Sequence, residues 1–297
     1  MAFVVRNGVR IYWDQLGSGP PVLLIMGLSF THEMWFRITP ALLRAGYRAI
    51  VFDNRGMGRS DTPSGPYTMC EMAWDAVSVL DAAGVESAHV IGASMGGMIA
   101  QELAIRYPAR VKSLLLGSTS YSGLFGSWPK WRYLPRMYWS SSPMERERAM
   151  RRMLYADTTP DNRVEEDLHI RAECSWSYRG FWNQLAGILM WSSFRKLPQI
   201  KAPTAVIHGD QDRLIPPRNG RVVASRIPGA RFHLVKNAGH ILTTDQTEEC
   251  CELMLAFLQS SGSDRHRTRA RRGWLNRSFD LICQRLNPRQ LDPGQKL

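Results

Sequence analysis

His89-Val90-Ile91-Gly92-Ala93-Ser94-Met95-Gly96-Gly97-Met98 is the stretch whose reading decides this chain. An apolar run ends at Ile91, Gly-x-Ser-x-Gly follows, and a helix-forming run from Met98 to Arg106 comes next. Strand, tight turn and helix in that order make a nucleophile elbow. Gly92 and Gly96 flank the serine because such a turn brings strand and helix too close for Cβ atoms. The turn holds Ser94 at the carboxyl end of its strand. It also leaves the amide of Met95, at the helix start, free to donate to a developing oxyanion. A Gly-rich turn around a buried serine has the same pattern, so the surrounding chain must decide between the two.

Upstream, Phe3-Val5 and Arg10-Trp13 read as a hairpin hinged at Asn7-Gly8. Pro21 to Met26 and Tyr47 to Phe52 are continuous apolar runs, the mark of strands covered on both faces. A helix is expected from about His32 to Ala45 and another over Tyr67 to Gly84. Downstream, Val111 to Gly117 is a further strand. The alternation implies a mostly parallel central sheet flanked by helices.

From Ser118 to about Gln199 no strand pattern occurs, and six of the ten tryptophans (128, 131, 139, 176, 182 and 191) lie there. Helical stretches near 144–155, 162–174 and 180–190 make this an inserted helical cap. Its tryptophans, with Met137, Met144, Met153 and Met190, suggest an apolar roof over a site. Core strands resume at Thr204 to His208 and Ala230 to Val235, with a helix at Arg218 to Arg226. A closing helix then runs to about Gln259, with Asp245 as its cap and Glu248 answering it. The division expected is a core of 1–120 and 200–261, a cap of 121–199 and a basic extension of 262–297.

A serine hydroxyl needs a base, and the base needs an acid to fix its tautomer. Of seven histidines, His240 alone follows a strand and a glycine at the edge where Ser94 stands. His89 and His208 lie on strands, with side chains expected toward a helix or the rim. The acid should leave the sheet between nucleophile and base. Asp212 does so, and Asp210 is its rival two residues away. Three candidates at successive strand ends, in the order Ser94, Asp212, His240, are far less expected by chance than the elbow alone.

With these residues in place the chain resembles the α/β-hydrolase fold family over about residues 3–260. The matching motifs are Gly92-Ala93-Ser94-Met95-Gly96-Gly97, Phe52-Asp53-Asn54-Arg55-Gly56-Met57-Gly58-Arg59-Ser60, His208-Gly209-Asp210-Gln211-Asp212 with Pro216, and Asn237-Ala238-Gly239-His240. Within that fold it is similar to carboxylesterases of the group that includes aclacinomycin methylesterase and 3-oxoadipate enol-lactonase. The resemblance implies Ser94 as nucleophile, Asp212 rather than Asp210 as acid, and His240 as base. It places a second oxyanion donor just after the strand at 21–26, where the backbone amide of Leu28 is the candidate. The family usually has His-Gly there, and this chain has Met26-Gly27-Leu28. Asp53, Arg55 and Ser60 read as a loop pinned by an Asp-Arg pair.

Serine at the elbow implies an acyl-enzyme, hence cleavage of a carboxylic ester or lactone of a small to medium apolar molecule. The same three residues would also serve a carbon–carbon hydrolase or an acyltransferase, and the fold can act as a ligand-binding protein with an idle triad. No metal-ligand spacing or phosphate loop is present, so neither metal nor cofactor is implied. Five scattered cysteines read as reduced, in a cytoplasmic protein. No signal segment or run of 18 apolar residues occurs.

The formal charge is +12, and nine Lys+Arg against three Asp+Glu from Gly262 onward account for +6 of it. That distribution argues against a nucleic-acid partner. Ser260 to Ser263 reads as a linker, Asp264 to Arg272 as a basic run and Trp274 to Leu286 as an amphipathic helix. Such a tail suits weak contact with an anionic membrane surface or a protein, although a solvated extension is the plainer reading.

Overall fold

The computed structural model describes residues 2–126 and 141–262. The basic run at 264–272, the amphipathic helix at 274–286, Trp128, Trp131, Met137, Trp139 and Cys283 lie outside the described residues.

Eight strands form one sheet in the order β1-β2-β4-β3-β5-β6-β7-β8. β1 (Ala2–Arg6) and β2 (Val9–Leu16) make the expected hairpin. Asn7 at φ 47° and Gly8 at φ 77° both take the left-handed conformation that a two-residue hairpin turn requires. β2 runs antiparallel to β4 (Arg48–Phe52). The remaining pairs, from β4 through β3 (Pro21–Ile25), β5 (Ala88–Ala93), β6 (Val111–Gly117), β7 (Thr204–Gly209) and β8 (Arg231–Val235), are parallel. A strand's side chains alternate between faces, so each apolar run supplies both layers. Leu23, Ile25, Val90, Leu114 and Val206 pack toward α2 (Met69–Ala82) and α3 (Met95–Arg106). Leu24, Ile91, Leu115 and Ile207 pack toward α1 (Thr39–Arg44) and the last helix.

The helix expected over 32–45 is two pieces, a 3₁₀ turn at His32–Trp35 and then α1. Pro40 sits in the first turn of α1, where its missing N–H goes unneeded. Thr68 and Glu71 make a reciprocal capping box at the start of α2.

Between β6 and β7 lie α4 (Pro143–Leu154), α5 (Asp161–Glu173) and α6 (Tyr178–Leu189). Ser142 and Ser177 cap α4 and α6 through their hydroxyls. Trp191, just after α6, fastens this segment to the sheet layer. Its indole N–H donates to Glu102 (2.9 Å), a buried carboxylate on α3 that also holds Lys196 and Arg106.

After β7 come α7 (Arg218–Arg226), β8, the short α8 (Leu242–Asp245) and α9 (Thr247–Gly262). Two expectations fail at this end. Asp245 does not cap the closing helix; it ends α8, and its carboxylate is buried and bonded elsewhere. Ser260 to Gly262 is helix rather than linker, since the hydroxyls of Ser260 and Ser261 donate to the Phe257 carbonyl (2.8 and 2.9 Å) at the helix end.

The Asp53-Arg55 pair also fails. Arg55 turns away and grips Asp75 of α2 with two nitrogens (2.6 and 2.8 Å), and Arg6 reaches the same carboxylate (3.2 Å). Asp53 instead accepts from the amides of His32 and Arg59. Ser60 closes the loop by donating to the Asp53 carbonyl and accepting from the Tyr12 amide.

Asp75 is 1% exposed, and its removal takes the buried carboxylate from two guanidinium groups, which keep weaker contacts to Glu71. Truncating one side of a buried ion pair costs about 3–5 kcal/mol. Asp75→Ala should therefore lower the unfolding free energy in urea by about that amount, while Asp81→Ala on the exposed side of α2 should change it by under about 1 kcal/mol.

Candidate active site

Ser94 stands between β5 and α3 at φ 56° and ψ −121°. Non-glycine residues rarely adopt this state, and the packing around it enforces it. A Cβ on Gly92 would collide with the Gly96 carbonyl, and one on Gly96 with the Ile25 carbonyl. The helix thus lies against the strand with no space between. The Ser94 amide donates to the Gly117 carbonyl (2.9 Å), and Thr119 Oγ1 donates to the Ser94 carbonyl (2.7 Å), fixing the turn from β6.

The strand ends bring the three sequence candidates together. His240 Nε2 lies 2.9 Å from Ser94 Oγ, and His240 Nδ1 lies 2.9 Å from Asp212 Oδ2. The other oxygen of Asp212 accepts the amides of Leu214 (3.0 Å) and Ile215 (2.8 Å). Asp210 remains at the rim, where it accepts the Ala238 amide (3.4 Å) and meets Lys236 (3.6 Å). Burial works to raise the Asp212 carboxyl. The His240 charge and the bonds from His208 and His240 outweigh it and hold the group down at about 2. Asp212 is thus an ionised acceptor across the working pH range, which orients the Nδ1–H of His240 toward it.

Sequence reading passes over His208, yet its Nε2 lies 3.2 Å from Asp212 Oδ2 and 2.7 Å from the Ile215 carbonyl. A proton on that nitrogen serves both acceptors. His208 is four residues before Asp212 and points across the loop that carries it, a placement only the turn geometry reveals.

The loop after β3 supplies the opposite wall. A Cβ on Gly27 would stand 3.0 Å from Ser94 Cβ, so a side chain there would press the loop away from the serine. Asn54 Nδ2 donates to the Met26 carbonyl (2.8 Å), and Gln184 of α6 accepts from the Ser29 amide (3.4 Å). Among the described residues no protein acceptor takes the amide of Leu28 or Met95. Met95 begins α3, where the helix dipole favours negative charge.

A cavity of about 50 Å³ opens behind Ser94 and is walled by the core. Among the described residues the expected cap tryptophans and methionines do not line it. Trp176 and Trp182 are exposed and stack with Tyr178 and Phe181, and Trp191 is turned onto Glu102. Met144 and Met190 are exposed, and Met153 packs inside the cap against Leu154 and Val164.

His32, Glu33 and Asp53 bring three potential metal-ligand atoms within 4.8 Å of one another. As arranged, His32 Nδ1 and Asp53 Oδ1 are 2.8 Å apart, a hydrogen bond, and Asp53 Oδ2 accepts the Arg59 amide. The cluster is therefore satisfied as a loop pin. Cys70, Cys174, Cys250 and Cys251 are free thiols.

The model of the alpha/beta hydrolase fold matches residues 20–153 and 168–245. The chain belongs to the α/β-hydrolase family. This α/β-hydrolase is 32% identical over 246 residues to the poly(3-hydroxyalkanoate) depolymerase of Ectopseudomonas oleovorans, covering 80% of the chain and 84% of that protein. It is 31% identical over 266 residues to the putative carbamate hydrolase RutD of Azorhizobium caulinodans, covering 86% and 98%. Among solved structures it superposes with a TM-score of 0.75 and 28% identity on Est816, described as an N-acyl homoserine lactone degrading enzyme, covering 85% and 98%. More distant relatives carry the names of a rhodomycin D methylesterase, a 2-hydroxy-6-oxononadienedioate/2-hydroxy-6-oxononatrienedioate hydrolase and a putative non-heme chloroperoxidase. Among the described residues no helix is long and apolar enough to cross a membrane.

The loop of this α/β-hydrolase that carries His240 is strapped to the end of α4. The Ile241 amide donates to the Leu154 carbonyl (2.9 Å). The Asp245 carboxylate accepts from the Gly239 amide and the Thr159 hydroxyl (2.5 Å each) and from the Ala156 amide (3.3 Å). Burial raises the Asp245 carboxyl to about 6 against those bonds, aided by the nearby Asp167 charge. The folded form therefore binds this proton more tightly than the unfolded chain, whose Asp titrates at about 3.9. The penalty for ionisation is complete above pH 6 and is relieved as the pH falls from 6 toward 4. Asp245→Asn removes that slope. Relative to the variant, the parent should gain about 2–3 kcal/mol of unfolding free energy between pH 7 and pH 4, read from urea melts. The depressed Asp212 acts in a separate window, its stabilisation being lost as pH falls from about 4 through 2.

Proposed function

We propose that this α/β-hydrolase is a serine hydrolase that cleaves a carboxylic ester or lactone of a small to medium apolar molecule through an acyl-enzyme on Ser94. The observation that carries this reading is the unbroken relay from Ser94 Oγ through His240 to Asp212, each step 2.9 Å. Relatives named for an ester polymer and an acyl lactone support the bond class.

The steps follow from the atoms in place. Ser94 Oγ attacks the carbonyl carbon while its proton passes to His240 Nε2. Asp212 stabilises the imidazolium and keeps the ring in line. The carbonyl oxygen, now negative, takes the amides of Leu28 and Met95, both lacking protein acceptors among the described residues. On collapse, the ester carbon–oxygen bond breaks and the departing alkoxide takes the proton from His240. Water then attacks the acyl-enzyme, gives a proton to His240, and that proton returns to Ser94 as the acid leaves. Residues 121–199 act as a cap on the core of 1–120 and 200–261, and the strap from α4 to Gly239 and Ile241 couples the cap to the base.

The first test is hydrolysis of p-nitrophenyl esters of increasing acyl length. Ser94→Ala should lower kcat by several powers of ten with its melting temperature retained. A folded parent inert on every ester would contradict ester hydrolysis and favour carbon–carbon cleavage or acyl transfer. Leu28→Pro deletes one donor amide and should lower kcat by about 10²–10³, while Leu28→Val keeps the amide and most of the rate.

A further inference from the structure

Asp212 and His240 leave the sheet at separate strand ends, yet the residues on either side of each are bonded to one short stretch between β6 and β7. That stretch runs from Arg152, in the last turn of α4, to Thr159. Before Asp212, Gln211 Oε1 accepts the Asp157 amide (3.0 Å). After it, Arg213 donates to the carbonyls of Arg152 (2.9 Å) and Tyr155 (3.4 Å) and pairs with the Asp157 carboxylate. Before His240, the Gly239 amide donates to Asp245 Oδ2, which also accepts the Ala156 amide (3.3 Å). After it, the Ile241 amide donates to the Leu154 carbonyl (2.9 Å).

The fit along this seam is close. A Cβ on Gly239 would lie 2.6 Å from the Tyr155 carbonyl carbon and 2.9 Å from the Ala156 nitrogen, so the backbone at 239 lies directly on the stretch. The two loops also meet each other, since the Gln211 amide donates to the Ala238 carbonyl (2.8 Å). The stretch is fixed from behind as well. The Tyr155 hydroxyl donates to Asp167 of α5 (3.0 Å), a buried carboxylate that also accepts the Thr244 hydroxyl (2.7 Å). Leu154, Tyr155, Ala156 and Thr159 are at most 6% exposed, so water competes little for these bonds. A segment that served only to roof a pocket would have no reason to bind the chain on both sides of Asp212 and on both sides of His240.

We propose that residues 152–159 brace the loops of Asp212 and His240 in register, with Asp245 and Arg213 as the positioning residues that fasten the brace. The proposal rests on the reading of Ser94, His240 and Asp212 as a working relay. Asp245 Oδ2 takes one amide from each side of the seam, and Oδ1 takes the Thr159 hydroxyl (2.5 Å). Asparagine at 245 keeps an oxygen for both amides and can turn its NH2 toward Thr159 Oγ. Alanine there loses all of these bonds. Arg213→Ala likewise frees the loop of Asp212 from Arg152, Tyr155 and Asp157. A displacement of about 1 Å from a change far from the reacting atoms can cost about 10²-fold in rate. His240 acts in both acylation and deacylation, so a displaced His240 slows both steps alike and lowers kcat with KM unchanged.

The test follows p-nitrophenyl butanoate hydrolysis together with labelling of Ser94 by an alkyl fluorophosphonate. In the labelling, Ser94 Oγ bonds to phosphorus, fluoride leaves and His240 takes the proton. Asp245→Ala should lower kcat and the labelling rate about 10²-fold, with KM within about threefold. Asp245→Asn should stay within about fivefold of the parent in both rates. Arg213→Ala, whose side chain is 18% exposed, should lower kcat about tenfold at unchanged KM, and it decides the matter if Asp245→Ala does not fold. Arg148→Ala, exposed on α4, should change neither rate. The double variant should lose less than the product of the two single losses, as residues acting as a unit do. Losses confined to KM, single losses that multiply in the double variant, or an Asp245→Asn as slow as Asp245→Ala would each overturn the brace. A folded parent that neither turns over the ester nor takes the label overturns the relay reading, and the brace with it. An active parent whose folded Asp245→Ala and Arg213→Ala variants keep kcat overturns the brace alone.

Discussion

The backbone of Ser94, at φ 56° and ψ −121°, is held there by contacts that admit no Cβ at Gly92 or Gly96. Strain of this kind costs about 1–3 kcal/mol and persists only where packing over-determines it. Much of the core can be understood as that over-determination. β3 and β6 flank β5 on either side, so the elbow is clamped between the Ile25 carbonyl and the Gly117 carbonyl. The same clamp aims the hydroxyl at the crevice beyond the strand ends, where a parallel sheet collects its loops.

Asp212 is placed by a second constraint. A carboxylate as buried as Asp212 must be paired, and it is paired on both sides by imidazoles and from below by the amides of Leu214 and Ile215. The charge of the pair stays local, and the histidine ring has one orientation open to it. Asp245, one turn beyond His240, does comparable work for the loop backbone, but with no cation to offset its burial. That difference gives one buried aspartate a lowered and the other a raised proton affinity. Asp245 also ties the loop that carries His240 to the end of α4.

Much of this was legible in the sequence because chain order, in this family, is chemistry. Gly-x-Ser-x-Gly after an apolar run, an aspartate after the next strand but one, and a histidine after the last strand specify where each side chain emerges. Fold class follows from continuous apolar runs alternating with helical periods. What stayed hidden depended on which way a side chain turns. Arg55 is two residues from Asp53, yet its partner is Asp75, because α2 presents that face to it. The cap tryptophans read as a pocket roof, but among the described residues Trp176 and Trp182 pack against Tyr178 and Phe181, and Trp191 donates its indole N–H to Glu102. The cavity is assembled from alternate residues of separate strands, each of which reads as ordinary core.

The central claim is covalent chemistry at Ser94. Its most direct measurement is intact-protein mass spectrometry after acid quench during turnover of p-nitrophenyl butanoate, followed by peptide mapping. The account predicts a mass gain equal to one butanoyl group, on the peptide that contains Ser94. Turnover with no adduct at any quench time, or an adduct on another residue, would contradict it.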